Sequence, residues 1–97
     1  MQTLFLDEIL YVSSWGNYID IHMSQYKETL RMSLLQIIEK LPEEQFFKIH
    51  KKYIVNLSHV HQITLNEVKI GSEMLPVSRR NIKTFRERWS HYKSQNT

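Results

Sequence analysis

The chain has no cysteine, two glycines, two prolines, and no apolar run that approaches the ~18 residues of a membrane span. Each shortage closes a class of answers. Without cysteine there are no disulfides and no thiolate metal sites, and no redox compartment is indicated. With two glycines there is no phosphate-cradling glycine loop and no glycine-framed nucleophilic serine, and no paired-carboxylate motif stands in for them. An enzyme is therefore not expected, nor is a cofactor. So little glycine and proline also argues against a linker or a disordered tail. The N-terminal Met1-Gln2-Thr3 lacks the cationic region of a signal peptide, so a cytoplasmic setting with no membrane partner is expected.

What is present suits one small folded domain over residues 1–97, with 41% hydrophobic and 24% charged residues. The net charge of +3 is modest but unevenly spread. Residues 1–30 carry one cation against four acids, residues 31–60 five against three, and residues 61–97 seven against three. This asymmetry suggests an electropositive face and a polyanionic partner, while a mixed surface of this charge is also simply soluble.

The stretch Phe46-Phe47-Lys48-Ile49-His50-Lys51-Lys52-Tyr53-Ile54-Val55-Asn56-Leu57 organises the rest. Phe47, Ile49, Tyr53, Val55 and Leu57 share one parity, as on a strand with a buried face. Two adjacent lysines on a regular strand point to opposite sides of the sheet, so Lys51 and Lys52 can act on one partner only if the chain turns or bulges there. Read alone, they are equally edge charges that block strand-to-strand aggregation. His50 beside them reads as a hydrogen-bonding imidazole.

Around this stretch the periodicity is mainly β. Residues 3–12 predict a strand, bent at Asp7-Glu8 and broken by Ser13-Ser14-Trp15-Gly16-Asn17. Ile19, Ile21 and Met23 alternate with Tyr18, Asp20 and His22, and residues 27–32 answer them as a hairpin partner. Leu34, Ile37, Ile38 and Leu41 at helical spacing predict a covering helix over 33–41, with Ser33 and Gln36 as a capping box and Pro42 as the stop. Strands follow at 60–65, 68–70 and 74–77, with a turn at Asn66-Glu67, and Pro76 places the last at an edge. Ile82, Phe85 and Trp89 then mark a C-terminal helix over about 79–90, with Arg79, Lys83 and Arg86 on one flank.

Three groups carry candidate chemistry. Ser78 as N-cap places Arg79 and Arg80 in a first helical turn, where the macrodipole disfavours them, so the pair reads as functional: guanidinium forks and free amides suit phosphate, and arginine reads guanine. The competing reading pairs one arginine with Glu67 or Glu73 at the surface. Asn17, in a loop between Trp15 and Tyr18, offers an amide able to read an adenine edge. His59-x-His61 suggests a metal, but no Asp, Glu or Cys lies beside the two histidines to complete a set.

Together these residues resemble a known family. A strand ending in Trp15-Gly16-Asn17-Tyr18, a Ser-Leu-led helix, Phe47-Lys48-Ile49-His50-Lys51-Lys52-Tyr53-Ile54-Val55-Asn56 and then Leu75-Pro76-Val77-Ser78-Arg79-Arg80 look like the LytTR family, the DNA-binding output domains of bacterial response regulators. The match covers roughly residues 4–86. It implies an elongated body of short, mostly antiparallel strands in small sheets, binding double-stranded DNA through loops in major grooves. The implied partners are tandem repeats of a promoter, a second copy on the DNA, and a receiver domain in the full-length protein. Base contacts carry over to Asn17 and Tyr18, to Lys51 after His50, and to Arg80 with Arg79; His50, Lys52, Asn81 and Lys83 complete the set of candidate DNA-binding residues. Two departures stand out: the family begins with a strand or two before the position of Leu4, which leaves one sheet short of an edge, and Lys51-Lys52 replaces the usual Arg or Asn followed by Ser. The remaining alternative is a non-catalytic protein-interaction or dimerisation module that docks through a β edge and the stripe Ile82, Phe85 and Trp89.

Overall fold

The computed structural model describes residues 6–95. After a 3-10 turn at Leu6–Glu8, the order is β1 (Ile9–Trp15), β2 (Tyr18–Met23), β3 (Lys27–Leu30), α1 (Leu34–Ile38), β4 (Phe46–His50) and β5 (Tyr53–Asn56). A second 3-10 turn at Leu57–His59 leads to β6 (Val60–Ile63), β7 (Glu67–Ile70), β8 (Glu73–Pro76) and α2 (Ile82–Gln95). The strands form a five-stranded sheet in the order β3-β2-β1-β5-β4 and a three-stranded sheet in the order β6-β7-β8. All pairings are antiparallel. The mainly β class with a short covering helix and a C-terminal helix is as the sequence predicts. At 34 × 28 × 25 Å the body is only mildly elongated.

Both faces of the five-stranded sheet are covered. On one face Ile9, Val12, Ile19, Ile21, Met23, Phe46 and Ile54 pack with Leu34, Ile37 and Leu41 of α1 and its exit. On the other, Ile49, Val55 and Leu57 pack with Val60, Val68, Ile70, Leu75 and Val77 around the second sheet and with Phe85 of α2. The shared parity of Phe47, Ile49, Tyr53, Val55 and Leu57 corresponds to this second face. Two strands of this sheet carry bulges. Pairing shifts between Ile9 and Tyr11 and again between Lys48 and His50, so β1 and β4 each serve both faces.

Local chemistry fixes the helices. Ser33 Oγ accepts from Gln36 N–H at 3.1 Å while Gln36 Oε1 accepts from Ser33 N–H at 2.9 Å, the expected capping box. In α2 Phe85 is fully buried, worth ~1.5–3 kcal/mol for such a side chain, and its ring stacks on Phe47 at 5.5 Å. Ile82, Trp89 and Tyr92 pack on the same cluster. The stripe that could have docked a partner is thus turned to the core. Arg86 Nη2 donates to the Thr64 carbonyl at 2.6 Å and Arg88 Nη2 to the Glu43 carbonyl, which ties the helix down at both flanks.

At the junction of β1, β5 and the second 3-10 turn sits Asn56, fully buried. Its Nδ2 donates to the carbonyls of Leu6 at 3.2 Å and Ile9 at 2.9 Å. Its Oδ1 accepts from Ser58 N–H at 2.9 Å and Ser58 Oγ–H at 2.7 Å.

Boundaries differ from expectation in several places. α1 spans Leu34–Ile38 rather than 33–41: the Lys40 and Leu41 N–H groups donate to the Ile37 and Ile38 carbonyls three residues back, so the helix has tightened into a turn before Pro42 is reached. Residues 3–5 of the first expected strand, and anything before Leu4, lie outside the described residues; Leu6–Glu8 is a 3-10 turn and the strand starts at Ile9. That strand continues through Ser13, Ser14 and Trp15, because each pairs across to β2. Glu67 belongs to β7, and the turn before it is held by Thr64, whose Oγ1 accepts from Glu67 N–H at 3.1 Å. The C-terminal helix begins at Ile82 rather than 79 and runs to Gln95.

Candidate nucleic-acid interface

Two hairpin turns share one end of the five-stranded sheet. Gly16 and Asn17 join β1 to β2, and Trp15 faces Tyr18 as the last cross-strand pair. Gly16 has φ +56°, while among the described residues none other than glycine has a positive φ, the pattern of a type II′ turn with glycine first. Beside it, Ser13 pairs with Tyr53, and Ser14 N–H donates to the Lys52 carbonyl at 3.0 Å. The Lys51-Lys52 turn between β4 and β5 is thereby fixed next to the β1–β2 tip. The turn that the adjacent lysines required is therefore present, preceded by the bulge at Ile49.

A third segment is attached by one further bond. Ser78 N–H donates to the Ile49 carbonyl at 2.9 Å, joining the chain between β8 and α2 to the edge of β4. Asn81 N–H then donates to the Ser78 carbonyl at 3.0 Å, and the first α-helical bond runs from Phe85 N–H to the Asn81 carbonyl at 2.8 Å. Ser78 is therefore not the cap of α2. Arg79 and Arg80 lie in the turn before the helix, both exposed, so the argument from a disfavoured first helical turn does not apply to them. Among the described residues neither arginine forms an ion pair with Glu67 or Glu73.

Lys48, His50, Lys51, Ser78, Arg80 and Asn81 line one pocket. His50 Nδ1 accepts from Lys52 N–H at 3.1 Å, so the neutral ring carries its proton on Nε2, as a donor. The Ser78 hydroxyl oxygen is buried without a hydrogen-bond partner. Asn17 lies in a neighbouring depression with Gly16, Arg31, Met32, Ser33 and Gln36. Lys52 is exposed on the turn, and Lys83 is exposed in the first turn of α2. Tyr18 is 38% exposed and stacked on Trp15, with ring centres 5.0 Å apart.

Arg31 and Lys48 belong to this end but were not singled out from the sequence. The signal for Arg31 was the β2–β3 register, since Ile19 pairs with Leu30 and the next residue lands beside the Asn17 turn. Lys48 lies on the opposite parity of its strand, between the apolar Phe47 and Ile49.

The other end of the sheet has the opposite character. Asp7, Glu44, Gln45, Ser58, His59, Tyr92 and Gln95 line an open groove there. Gln45 Nε2 donates to Asp7 Oδ1 at 2.9 Å, and His59 Nε2 lies 2.5 Å from the Asp7 carbonyl oxygen. The histidine considered for metal binding is occupied by that contact. Among the described residues no three His, Cys, Asp or Glu side chains converge on one point.

The model of the LytTr DNA-binding domain matches residues 1–90. The chain belongs to the LytTr DNA-binding domain family. Its relatives include the sensory transduction protein LytT of Bacillus subtilis, 23% identical over 82% of this chain and 36% of that protein. An uncharacterized response regulatory protein of Vibrio cholerae is 29% identical over 76% of this chain and 32% of its own length. The transcriptional regulatory protein YpdB of Escherichia coli is 24% identical over 84% and 36%. This LytTr domain thus spans about a third of the length of the relatives it matches. In fold it superimposes on the LytTr DNA-binding domain of a Bacillus cereus response regulator with a TM-score of 0.78, at 22% identity over 88% of this chain and 84% of that one. Among its described residues no helix is long and apolar enough to cross a membrane.

Proposed function

We propose that this LytTr domain binds double-stranded DNA sequence-specifically through the cationic end of its five-stranded sheet, as the transcriptional output module of a two-component response regulator. The observation that carries the reading is the joining of three distant segments by two backbone bonds. Ser14 to Lys52 and Ser78 to Ile49 gather Asn17, the His50-Lys51-Lys52 corner and the Arg79-Arg80-Asn81 turn at one end of a rigid body. In this reading the turns enter successive major grooves along one side of the duplex. Lys51, Lys52, Arg79, Lys83 and backbone amides hold phosphates and set the register, while Arg80 and Asn17 read base edges, with Tyr18 beside them. His50 donates from Nε2, and Asn81 lines the same pocket as Arg80. Tandem promoter repeats would seat two copies side by side, and a receiver domain would occupy part of the remaining length seen in relatives.

The test is a salt titration. If about six phosphates are contacted, affinity for random duplex falls with salt at a log-log slope of about −5. Lys51→Ala and Lys52→Ala are each expected to weaken binding evenly across sequences and to flatten the slope by about 1. Arg80→Ala is expected to remove about 1–3 kcal/mol of discrimination at one base position. A slope near zero for the wild-type domain sinks the reading.

A further inference from the structure

The side of β1, β2 and β3 turned away from α1 carries a polar and aromatic network that meets the proposed contacts only at Tyr18. Trp15 of β1 lies opposite Tyr18 of β2, and Asp20 of β2 lies opposite Thr29 of β3. Asp20 is 6% exposed although it lies on a face that the alternation of Ile19, Ile21 and Met23 assigns to solvent. Its Oδ1 accepts from Thr29 Oγ1–H at 2.6 Å. Its Oδ2 accepts from Trp15 Nε1–H at 2.9 Å and from Lys27 Nζ at 3.5 Å. The hydrogen bond from Thr29 is the largest influence holding the Asp20 carboxyl below the usual carboxylate range, against the opposing effect of burial.

Packing alone does not account for this arrangement. A buried carboxylate loses hydration that only well-aligned donors restore, and three donors are committed to it here. Trp15, meanwhile, stays 53% exposed instead of burying its ring. What the arrangement does achieve is orientation: the carboxylate fixes the indole, the indole stacks on Tyr18 at 5.0 Å and 25°, and this pair is the last before Gly16 and Asn17. Four register pairs further down the same two strands, Tyr11 stacks on His22 at 4.1 Å and Ser13 Oγ lies 2.9 Å from His22 Nε2, so the clamp continues into the body of the sheet.

We propose that Asp20, acting through Trp15, is a positioning residue that aims the Asn17 turn and so sets base discrimination there without touching the duplex. The proposal rests on the DNA-binding reading above. Lys27 neutralises the carboxylate on its open side, which keeps a negative charge from opposing the approaching phosphates.

The wild-type domain is first used to select a duplex from a random library, and affinities are then measured for the selected duplex and a shuffled one. Trp15→Phe keeps a ring for Tyr18 but removes the Nε1–H that Asp20 holds; Asp20→Asn removes the charge. Each is expected to lower the selected-to-shuffled ratio about tenfold, with shuffled affinity and salt slope unchanged and the circular dichroism melt still cooperative. In an Asn17→Ala background Trp15→Phe is expected to add nothing. The indole amide resonance of Trp15 should shift in Asp20→Asn while that of Trp89 stays in place. An unchanged ratio in Trp15→Phe overturns the proposal, as do losses that multiply with Asn17→Ala or a matching fall in shuffled affinity, which would make the indole a direct contact. A wild-type domain that binds neither duplex overturns the DNA-binding reading itself, and that failure appears before any variant is compared.

Discussion

Replacing Asn56 tests the joint between β1, β5 and the two 3-10 turns that flank them. The side chain makes four hydrogen bonds, two from Nδ2 to the Leu6 and Ile9 carbonyls and two to Oδ1 from Ser58. Asn56→Ala leaves the Ile9 carbonyl buried without this donor, and a buried unpaired group costs about 1–3 kcal/mol. Ser58 is exposed and Leu6 half-buried, so their groups recover water and lose only the net value of a bond, about 0.5–1.5 kcal/mol each. The expected loss is about 3–5 kcal/mol, a large part of the roughly 5–15 kcal/mol available to a domain of this size. Urea unfolding with an unchanged m value is the assay. Asn56→Asp sharpens it, because the introduced carboxyl faces two carbonyls and so has a folded pKa above its unfolded one. The penalty is therefore greatest at pH 7 and shrinks as the pH falls toward the ordinary carboxylate pKa of about 4, where the protonated acid donates again. A cost under about 1 kcal/mol for Asn56→Ala, or a pH-independent penalty for Asn56→Asp, refutes the reasoning.

Three further outcomes are expected. Thr29→Val removes the main hydrogen bond that depresses the Asp20 carboxyl, with a stability loss of about 1 kcal/mol at pH 7. Because the folded pKa lies below the unfolded one, that loss is complete above the ordinary carboxylate range and disappears as the pH falls through the folded pKa, which denaturant titrations at pH 7 and pH 3 resolve. Ser33→Ala breaks the capping box and lowers stability by about 1 kcal/mol in thermal melts. Gly16→Ala forces a side chain into φ +56°, where nothing lies within 4 Å of the added Cβ, so any loss in urea unfolding, about 1–2 kcal/mol, reports backbone strain rather than a clash.

The elements most legible in the sequence were those whose local and tertiary demands agree. Ser33, Gln36, Leu34 and Ile37 state a capped amphipathic turn, and the parity of Phe47 to Leu57 states a strand pair around a basic corner. The sequence was least legible where a distant partner decided. Ser13 and Ser14 read as a break because they are polar, yet His22 and the Lys52 carbonyl hold them in a strand. Ser78 reads as a helix cap, but its N–H is taken by Ile49 and the helix waits until Ile82. Asp20 reads as an outward strand residue because nothing local reveals three donors arriving from Trp15, Lys27 and Thr29. Asn17, His50, Lys51 and Arg80 were named from residue chemistry and family resemblance; their gathering at one end depends on the sheet order, which periodicity does not specify.

The unequal height of the two neighbouring tips has a consequence for depth. Ser14 is level with Lys52, and the β1–β2 hairpin continues two residues further to Gly16, a projection of about 7 Å at ~3.4 Å per residue. A major groove is about 8.5 Å deep. If the domain docks as proposed, with Lys51 and Lys52 at the rim, the Asn17 turn would be long enough to approach the groove floor, and the length of this hairpin would act as a depth gauge. Deleting one residue from each strand would retract the turn by ~3.4 Å and also turn its side chains to the opposite face, so the gauge can be reset in usable form only in steps of two residues per strand.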